Sequence, residues 1–304
     1  MSSTEKKKIV GLGELLWDLF SEGKQLGGAP ANFAYAANLL GDEGIAASRV
    51  GRDTLGDEAL SHLHRRGLET RFIQRDTTRP TGTVNVSVDA RGEPAFEITE
   101  SVAWDSLEWE PPLQRLAHGA DAVCFGSLAQ RSPQSRETIH AFLAAMRPGA
   151  ARIFDVNLRQ SFYSGEILKE SFSLTDILKL NHEELPRVIE TLRLPPGGSM
   201  ESQARALLDR YNLKMVCVTR GAAGSLLLTQ TRIHEHPGFP AHVADTVGAG
   251  DAFTAALVHH YLRGSSLAAV NEAANRMGAW VASKAGAMPH SEPDVLARIR
   301  AESQ

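Results

Sequence analysis

In Asp245-Thr-Val-Gly-Ala-Gly-Asp251-Ala-Phe253, two glycines flank one small residue just where the chain turns into a helix. Glycine permits close backbone approach, and the first N–H groups of a helix have no intrahelical carbonyl to bond. Gly248 and Gly250 therefore shape a turn in which the amides of Ala249, Gly250 and Asp251, with the helix dipole, make a hole for a phosphoryl group. The Asp251 carboxylate falls in the first turn, beside that hole. There it can take the proton of an attacking hydroxyl while the amides stabilise charge on the group in transit. A generic Gly-x-Gly-Asp is more often a tight turn whose acid complements the helix dipole; the whole segment favours phosphoryl chemistry.

Other constellations fail their own tests. Gly51-Arg-Asp-Thr-Leu-Gly56 has P-loop glycine spacing, but Asp57 follows where lysine is required. Gly11-Leu-Gly13 lacks a third glycine at position 16, so a nicotinamide oxidoreductase is disfavoured. The histidines show no metal-ligand spacing; His259 and His260 adjoin on a helix and cannot share a face. Ser127 has no nucleophile elbow around it.

The elements that must position Asp251 alternate in type. Strand-length apolar runs at Ile9–Phe20, Ile45–Val50, Ala122–Phe125, Arg152–Val156 and Met215–Thr219 are interleaved with helical stretches at Ala31–Leu40, Leu55–Arg66, Ser135–Met146 and Ser202–Tyr211. That pattern predicts an α/β protein with a mainly parallel, doubly wound sheet. Ser225 to His236 reads as a hairpin, and Ala249–Leu262 and Leu267–Ala285 as late helices. One segment breaks the scheme. Thr81–Asp89 alternates with period two, Ala90–Glu93 is a turn, and Pro94–Thr99 alternates again, a β-hairpin too small to stand alone. It must pack on the main body, on a substrate or on a partner subunit, and a lid over a site is the reading favoured here. Val84, Val86 and Val88 share one side of it.

Composition sets outer limits. With 304 residues, 42% of them hydrophobic, the chain can bury one large core, and it is read as a single domain over 1–304. Charged residues at 22% and a net charge of -4 argue against a nucleic-acid partner, while phosphates can still be held by local amides. No apolar run reaches membrane-spanning length. The polar start Met1–Lys8 leads straight into Ile9-Val10 with no secretory pattern, and Cys124 and Cys217 lie in apolar runs. A cytoplasmic protein is expected.

The Asp245–Phe253 segment resembles the signature of the ribokinase-like (PfkB) carbohydrate kinases, and the likeness extends over nearly the whole chain. Gly27-Gly28-Ala-Pro-Ala-Asn32 resembles that family's N-terminal sugar-binding motif. Gly13-Glu-Leu-Leu-Trp-Asp18, Ile98–Asp105 and Phe154-Asp-Val-Asn-Leu-Arg159 are similar to the fructokinase branch. The resemblance implies a ribokinase-like doubly wound sheet with a small β-sheet lid, formed by about 81–100 with a strand continuation near 14–25. It further implies ATP and Mg²⁺ as co-substrates, and K⁺ as an activator of many members.

Residue roles carry over with it. Asp18, Gly27, Gly28, Asn32 and Arg159 would contact the sugar, with Asp251 as base. Asn181, Thr219, Gly221, Gly224, Gly248, Gly250, Asn275 and Gly278 would line the nucleotide. Glu184 would order Mg²⁺ waters, and Asp245, Val247, Lys284 and Gly286 would surround a monovalent cation. Taken alone, Asn181-His-Glu-Glu184 is equally a helix start, and Arg159 equally a salt-bridge residue. Ribokinase itself has a glutamate after the middle strand; here stands Gly126-Ser-Leu-Ala-Gln-Arg131, which moves the expected sugar from ribose toward fructose. Phosphorylation of fructose at its 6-hydroxyl is thus expected. 2-Keto-3-deoxygluconate or another sugar is the alternative within the family, and a non-catalytic sugar or nucleotide sensor is the alternative outside it. The lid is also a candidate surface for pairing two copies.

Overall fold

The computed structural model describes residues 6–88, 94–195 and 197–301. Strand β1 (Lys8–Leu12) is followed by β2 (Leu16–Phe20) and β3 (Gly23–Gly27). The single run expected from Ile9 to Phe20 is thus divided, because the chain leaves one sheet for another at Gly13–Leu15. Helix α1 (Ala29–Leu39) starts two residues before the expected Ala31, with Pro30 in the first turn, where a missing N–H is harmless. Strand β4 (Glu43–Gly51), helix α2 (Thr54–Arg65) and strand β5 (Ile73–Asp76) come next. The predicted hairpin is β6 (Gly82–Val88) with β7 (Pro94–Ile98); its turn at Ala90–Glu93 lies outside the described residues.

Alternation then resumes with α3 (Pro111–Gly119), β8 (Ala122–Phe125), α4 (Pro133–Ala145), β9 (Ala151–Asp155), α5 (Gly165–Ser173) and β10 (Ile177–Asn181). Helices α6 (Glu184–Thr191) and α7 (Met200–Arg210) lead to β11 (Met215–Thr219) and the hairpin β12 (Ser225–Leu228) and β13 (Ile233–His236). Helices α8 (Ala249–Tyr261), α9 (Leu267–Ala282) and α10 (Pro293–Arg300) complete the chain. Helix α9 stops three residues short of the expected Ala285. Among the described residues, no helix is long and apolar enough to cross a membrane.

Nine strands form one sheet in the order β13-β12-β11-β10-β9-β8-β1-β4-β5, parallel except at β11–β12 and β12–β13. Both faces are covered, so successive strand residues enter different cores. Val10, Phe125, Phe154 and Val216 pack on one side; Ile9, Cys124, Ile153 and Cys217 pack on the other, under α1, α8 and α9. This two-sided burial explains why the strands read as continuous apolar runs. The order reverses between β1 and β8, and the crevice outside the carboxyl ends of such strands is where open α/β sheets bind ligands.

A second sheet, β3-β2-β6-β7, is the lid, with β2 and β6 parallel. Val84 and Ile98 are buried in the same cluster as Val10 and Leu12, and Val86 packs against it. Val84 and Val86 therefore cover the protein's own core, while the side chain of Val88 lies outside the described residues.

Candidate active site

Asp251 is presented by the first turn of α8. Gly248 caps that helix at φ 77°, and a Cβ there would lie 2.5 Å from the Ala287 side chain, so only glycine fits without movement. Of the three amides expected in the anion hole, Ala249 turns back to the Thr246 carbonyl at 3.3 Å. Those of Gly250 and Asp251 lie in the first turn, where helix geometry supplies no acceptor. The hole is thus narrower than the sequence suggests.

Asn32, in the first half of α1, donates its side-chain amide to Asp251 Oδ2 at 2.8 Å, across 219 residues of sequence. Beneath α8, two strand residues in direct register form a buried ion pair: Lys179 Nζ lies 3.0 and 2.9 Å from the Asp155 carboxylate oxygens. Thr254, one helical turn beyond Asp251, donates to Asp155 at 3.2 Å. A Cβ on Gly250 would stand 3.2 Å from Lys179 Nζ, so the cation lies directly under the hole. Burial, reinforced by the Asp155 charge, pushes the Asp251 carboxyl up to about 6, against the pull of Asn32, Lys179 and Arg159. A carboxylate held there is ionised at neutral pH yet basic enough to accept a proton. Lys179 is held above the usual lysine range: burial works against its charge, but Asp155 and Glu184 outweigh it.

The sugar-side residues converge on the same crevice. Gly28 has φ 118°, and a Cβ there would meet the Glu14 carbonyl at 2.6 Å, while one on Gly27 would fall 2.5 Å from Asp18 Oδ2. Gly27 thus lets strand β3 lie against the Asp18 carboxylate, and Gly28 lets the chain pass against the Glu14–Leu15 backbone. Burial raises the Asp18 carboxyl, and the Arg159 guanidinium opposes it. Arg159, exposed on the loop after β9, also acts on Asp251, so lid, loop and base share one electrostatic neighbourhood.

The nucleotide-side residues are more committed to the protein itself. Glu184 is buried, its two oxygens accepting the amides of Leu158 and Asn181 at 2.8 Å each, and the side-chain Oδ1 of Asn181 accepts the amides of Glu183 and Glu184. Asn275 donates to Ser225 and to Asn271, and Gly278 is the point where α9 meets the Ala249 carbonyl and Phe253. These two build the wall behind α8. Thr219, Gly221 and Gly224 form a tight turn at the end of β11, exposed at Gly221 and buried at Gly224, closed by the Arg220 amide on the Gly224 carbonyl at 2.7 Å. Asp245 accepts the amides of Val247 at 3.0 Å and Gly286 at 3.1 Å, which draws the two segments of the expected cation site together. The Lys284 side chain is engaged by Glu292. Among the described residues no cluster of three or more acidic, histidine or cysteine side chains could hold a metal directly.

A model described as pfkB family carbohydrate kinase matches residues 5–294. The chain belongs to that family. It is a pfkB carbohydrate kinase, which transfers phosphate to a sugar hydroxyl. An uncharacterized sugar kinase of Pyrococcus horikoshii is 30% identical over 311 residues, covering 96% of this chain and 95% of the relative. The crystal structure of that protein superposes with a TM-score of 0.80. A fructokinase of Escherichia coli is 29% identical over 263 residues, 83% of each chain. A fructokinase of Xylella fastidiosa, solved with bound ATP, shares the fold with a TM-score of 0.83 at 23% identity, over 96% of this chain and 98% of its own.

Four residues of this pfkB kinase join the site without having been singled out from the sequence. Asp155, Lys179 and Thr254 form the buried charge network under Asp251, and Glu14 lines the same narrow cavity with Asp155, Asn157 and Asp251. Glu14 is buried, and its carboxyl is raised by burial above all, with Asp251 adding to it. Lys179 does carry a signal: it is the lone charge inside the apolar run Ile177–Leu180. A charge in a buried strand implies a buried partner.

Proposed function

We propose that this carbohydrate kinase phosphorylates fructose at its 6-hydroxyl, with Asp251 as the base. The observation that carries the reading is Asp251 itself, bonded by Asn32 at 2.8 Å and raised to about 6 at the start of α8. In this reading the sugar lies between Asp18 on the lid, the Gly27-Gly28 strand end, Asn32 and Arg159. Asp251 takes the hydroxyl proton as that oxygen attacks the γ-phosphorus of ATP; the bond from that phosphorus to the β–γ bridging oxygen breaks, ADP leaves with the electron pair, and the proton stays on the carboxyl. The Gly250 and Asp251 amides, with Lys179 beneath them, stabilise the charge developing on the phosphoryl oxygens. Lid closure excludes water from the transfer.

Nucleotide placement is part of the proposal: Thr219, Gly221 and Gly224 follow the phosphates, and Asn275 and Gly278 back the base and ribose. Mg²⁺ supplies charge neutralisation on those phosphates. Glu184, with both oxygens already bonded to amides, fits a role in ordering its waters rather than ligating it. Peptide carbonyls of the segments joined by Asp245 would hold K⁺. The whole chain is read as one kinase domain acting in the cytoplasm, with two copies pairing through their lids; a monomer-sized species in sedimentation would refute the pairing.

Relatives named fructokinase support fructose. Arg159 favours a second reading, because an exposed guanidinium beside Asp18 suits the carboxylate of 2-keto-3-deoxygluconate. A coupled ADP-release screen over fructose, 2-keto-3-deoxygluconate, ribose, tagatose and adenosine decides between them. Saturable turnover of fructose, with phosphate found on the 6-oxygen, is expected; turnover confined to the sugar acid would replace the first reading by the second.

A further inference from the structure

Arg131 lies where three segments that frame the sugar side of the site meet. It ends a short 3-10 turn, Leu128–Arg131, that follows β8. Its side chain is only 7% exposed, and that of its partner Asp105 only 8%. The pairing is a two-pronged fork: Nε donates to Asp105 Oδ1 at 2.8 Å and Nη2 to Oδ2 at 2.9 Å. Nη2 also donates to the Thr99 carbonyl at 2.6 Å, one residue beyond lid strand β7. The guanidinium is sandwiched between rings, 4.0 Å from the centroid of Trp104 and 4.6 Å from that of Phe162.

Each ring belongs to a different segment of the chain. Trp104 is the floor on which lid strand β6 begins, since a Cβ on Gly82 would come within 2.3 Å of its indole nitrogen. Phe162 sits three residues after Arg159 on the loop that follows β9, and its amide bonds back to the Arg159 carbonyl at 3.0 Å. A planar guanidinium that forks, stacks and cannot lose its charge fixes several directions at once, which apolar packing does not. One of its nitrogens, Nη1, finds no acceptor among the described residues. A residue present only for stability need not leave a buried donor open.

We propose that Arg131 is a positioning residue for the sugar: it locks the base of the lid to the loop bearing Arg159, and so fixes the span between Asp18 and Arg159. The inference rests on the reading of those two residues as sugar contacts.

The test compares Arg131→Met, Arg131→Lys and Phe162→Leu with wild type, using fructose and MgATP. In Arg131→Met the KM for fructose rises by roughly tenfold or more while the KM for ATP stays within about twofold. Arg131→Lys recovers part of the loss, because it keeps a cation between the rings but not the fork. Phe162→Leu shifts the fructose KM in the same direction by less. An unchanged fructose KM in folded Arg131→Met, or a parallel rise of both KM values, overturns the proposal. If Arg131→Met does not fold, an unchanged fructose KM in Phe162→Leu overturns it.

Wild-type inactivity on fructose would instead count against the substrate reading. Amide exchange of the ligand-free protein then decides the role of Arg131. Perturbing this latch, by Arg131→Met or, if that does not fold, by Phe162→Leu, must speed exchange at Thr99 and Phe162, by roughly tenfold for the former, while β9 and β10 stay unchanged. Equal rates overturn the proposal.

Discussion

Asp251, the proposed base of this kinase, is also a local weakness in its fold. A carboxyl raised on folding binds protons more tightly in the native state, so stability falls as pH rises from about 4, the ordinary unfolded value, through about 6. Above that the penalty is complete. Asp251→Asn should therefore lose roughly 10²–10⁴-fold in kcat. At pH 8 and without ligand it should gain about 1–3 kcal/mol in denaturant unfolding. Near-wild-type turnover in that variant would remove the residue from the role of base. The same carboxyl sets an acid limb of kcat/KM near pH 6 in the wild type. Asp155→Asn removes the neighbouring charge that helps raise Asp251 and leaves Lys179 free to pull it down, so the limb should move to lower pH. A limb that stays in place, measured with a saturating nucleotide, would show that Asp155 does not tune the base.

Helix α8 is held at both ends, and the two ends do different work. In the proposed reaction its first turn offers Gly250 and Asp251. Its last turn is fastened by Asp42, a buried residue of the α1–β4 connection that shares a 2.6 Å hydrogen bond with His259 and accepts one from Arg263 at 2.7 Å. Burial alone would raise the Asp42 carboxyl, but those two bonds outweigh it and hold it below the ordinary value. A depressed folded value contributes stability that is present above about pH 4 and is lost as pH falls through and below it. Asp42→Ala removes the carboxylate that the buried His259 and the half-buried Arg263 share and should cost about 3 kcal/mol in denaturant unfolding at pH 7. The difference from wild type should shrink below pH 4. A constant difference across that range would mean that packing, not charge, makes the contact.

At the scale of the whole molecule, the lid is continuous with the body. Val84 and Ile98 of the lid enter the same core as Val10, Leu12 and Phe125 of the main sheet. Calorimetry of the ligand-free protein should therefore show one cooperative transition, and a separate low-temperature transition for the lid would contradict the single-domain reading. The sheet order matters as much. Its reversal between β1 and β8 opens the crevice into which Glu14, Asp155 and Asp251 project from three distant parts of the chain.

By itself the sequence determined the parts whose physics is local. The glycines around Asp251, the helix they start, the alternating hairpin strands and most of the apolar strand runs are short-range patterns and appear where they were expected; the Ile9–Phe20 run is the exception. Strand β10 was not among the expected strands because Lys179 interrupts its apolar run, and nothing local divides β2 from β1 at Gly13, so that the lid strand near 14–25 was implied by the family resemblance alone. Only the tertiary structure decided what those residues face. Asn32 reaches Asp251, Lys179 meets Asp155 under the anion hole, and Arg131 lies between Trp104 and Phe162. Each of these contacts joins elements far apart in the chain, and burial is a property of the packed molecule. The raised carboxyl that suits Asp251 to the proposed role of base follows from that burial, whereas its place at a helix start follows from its neighbours in sequence.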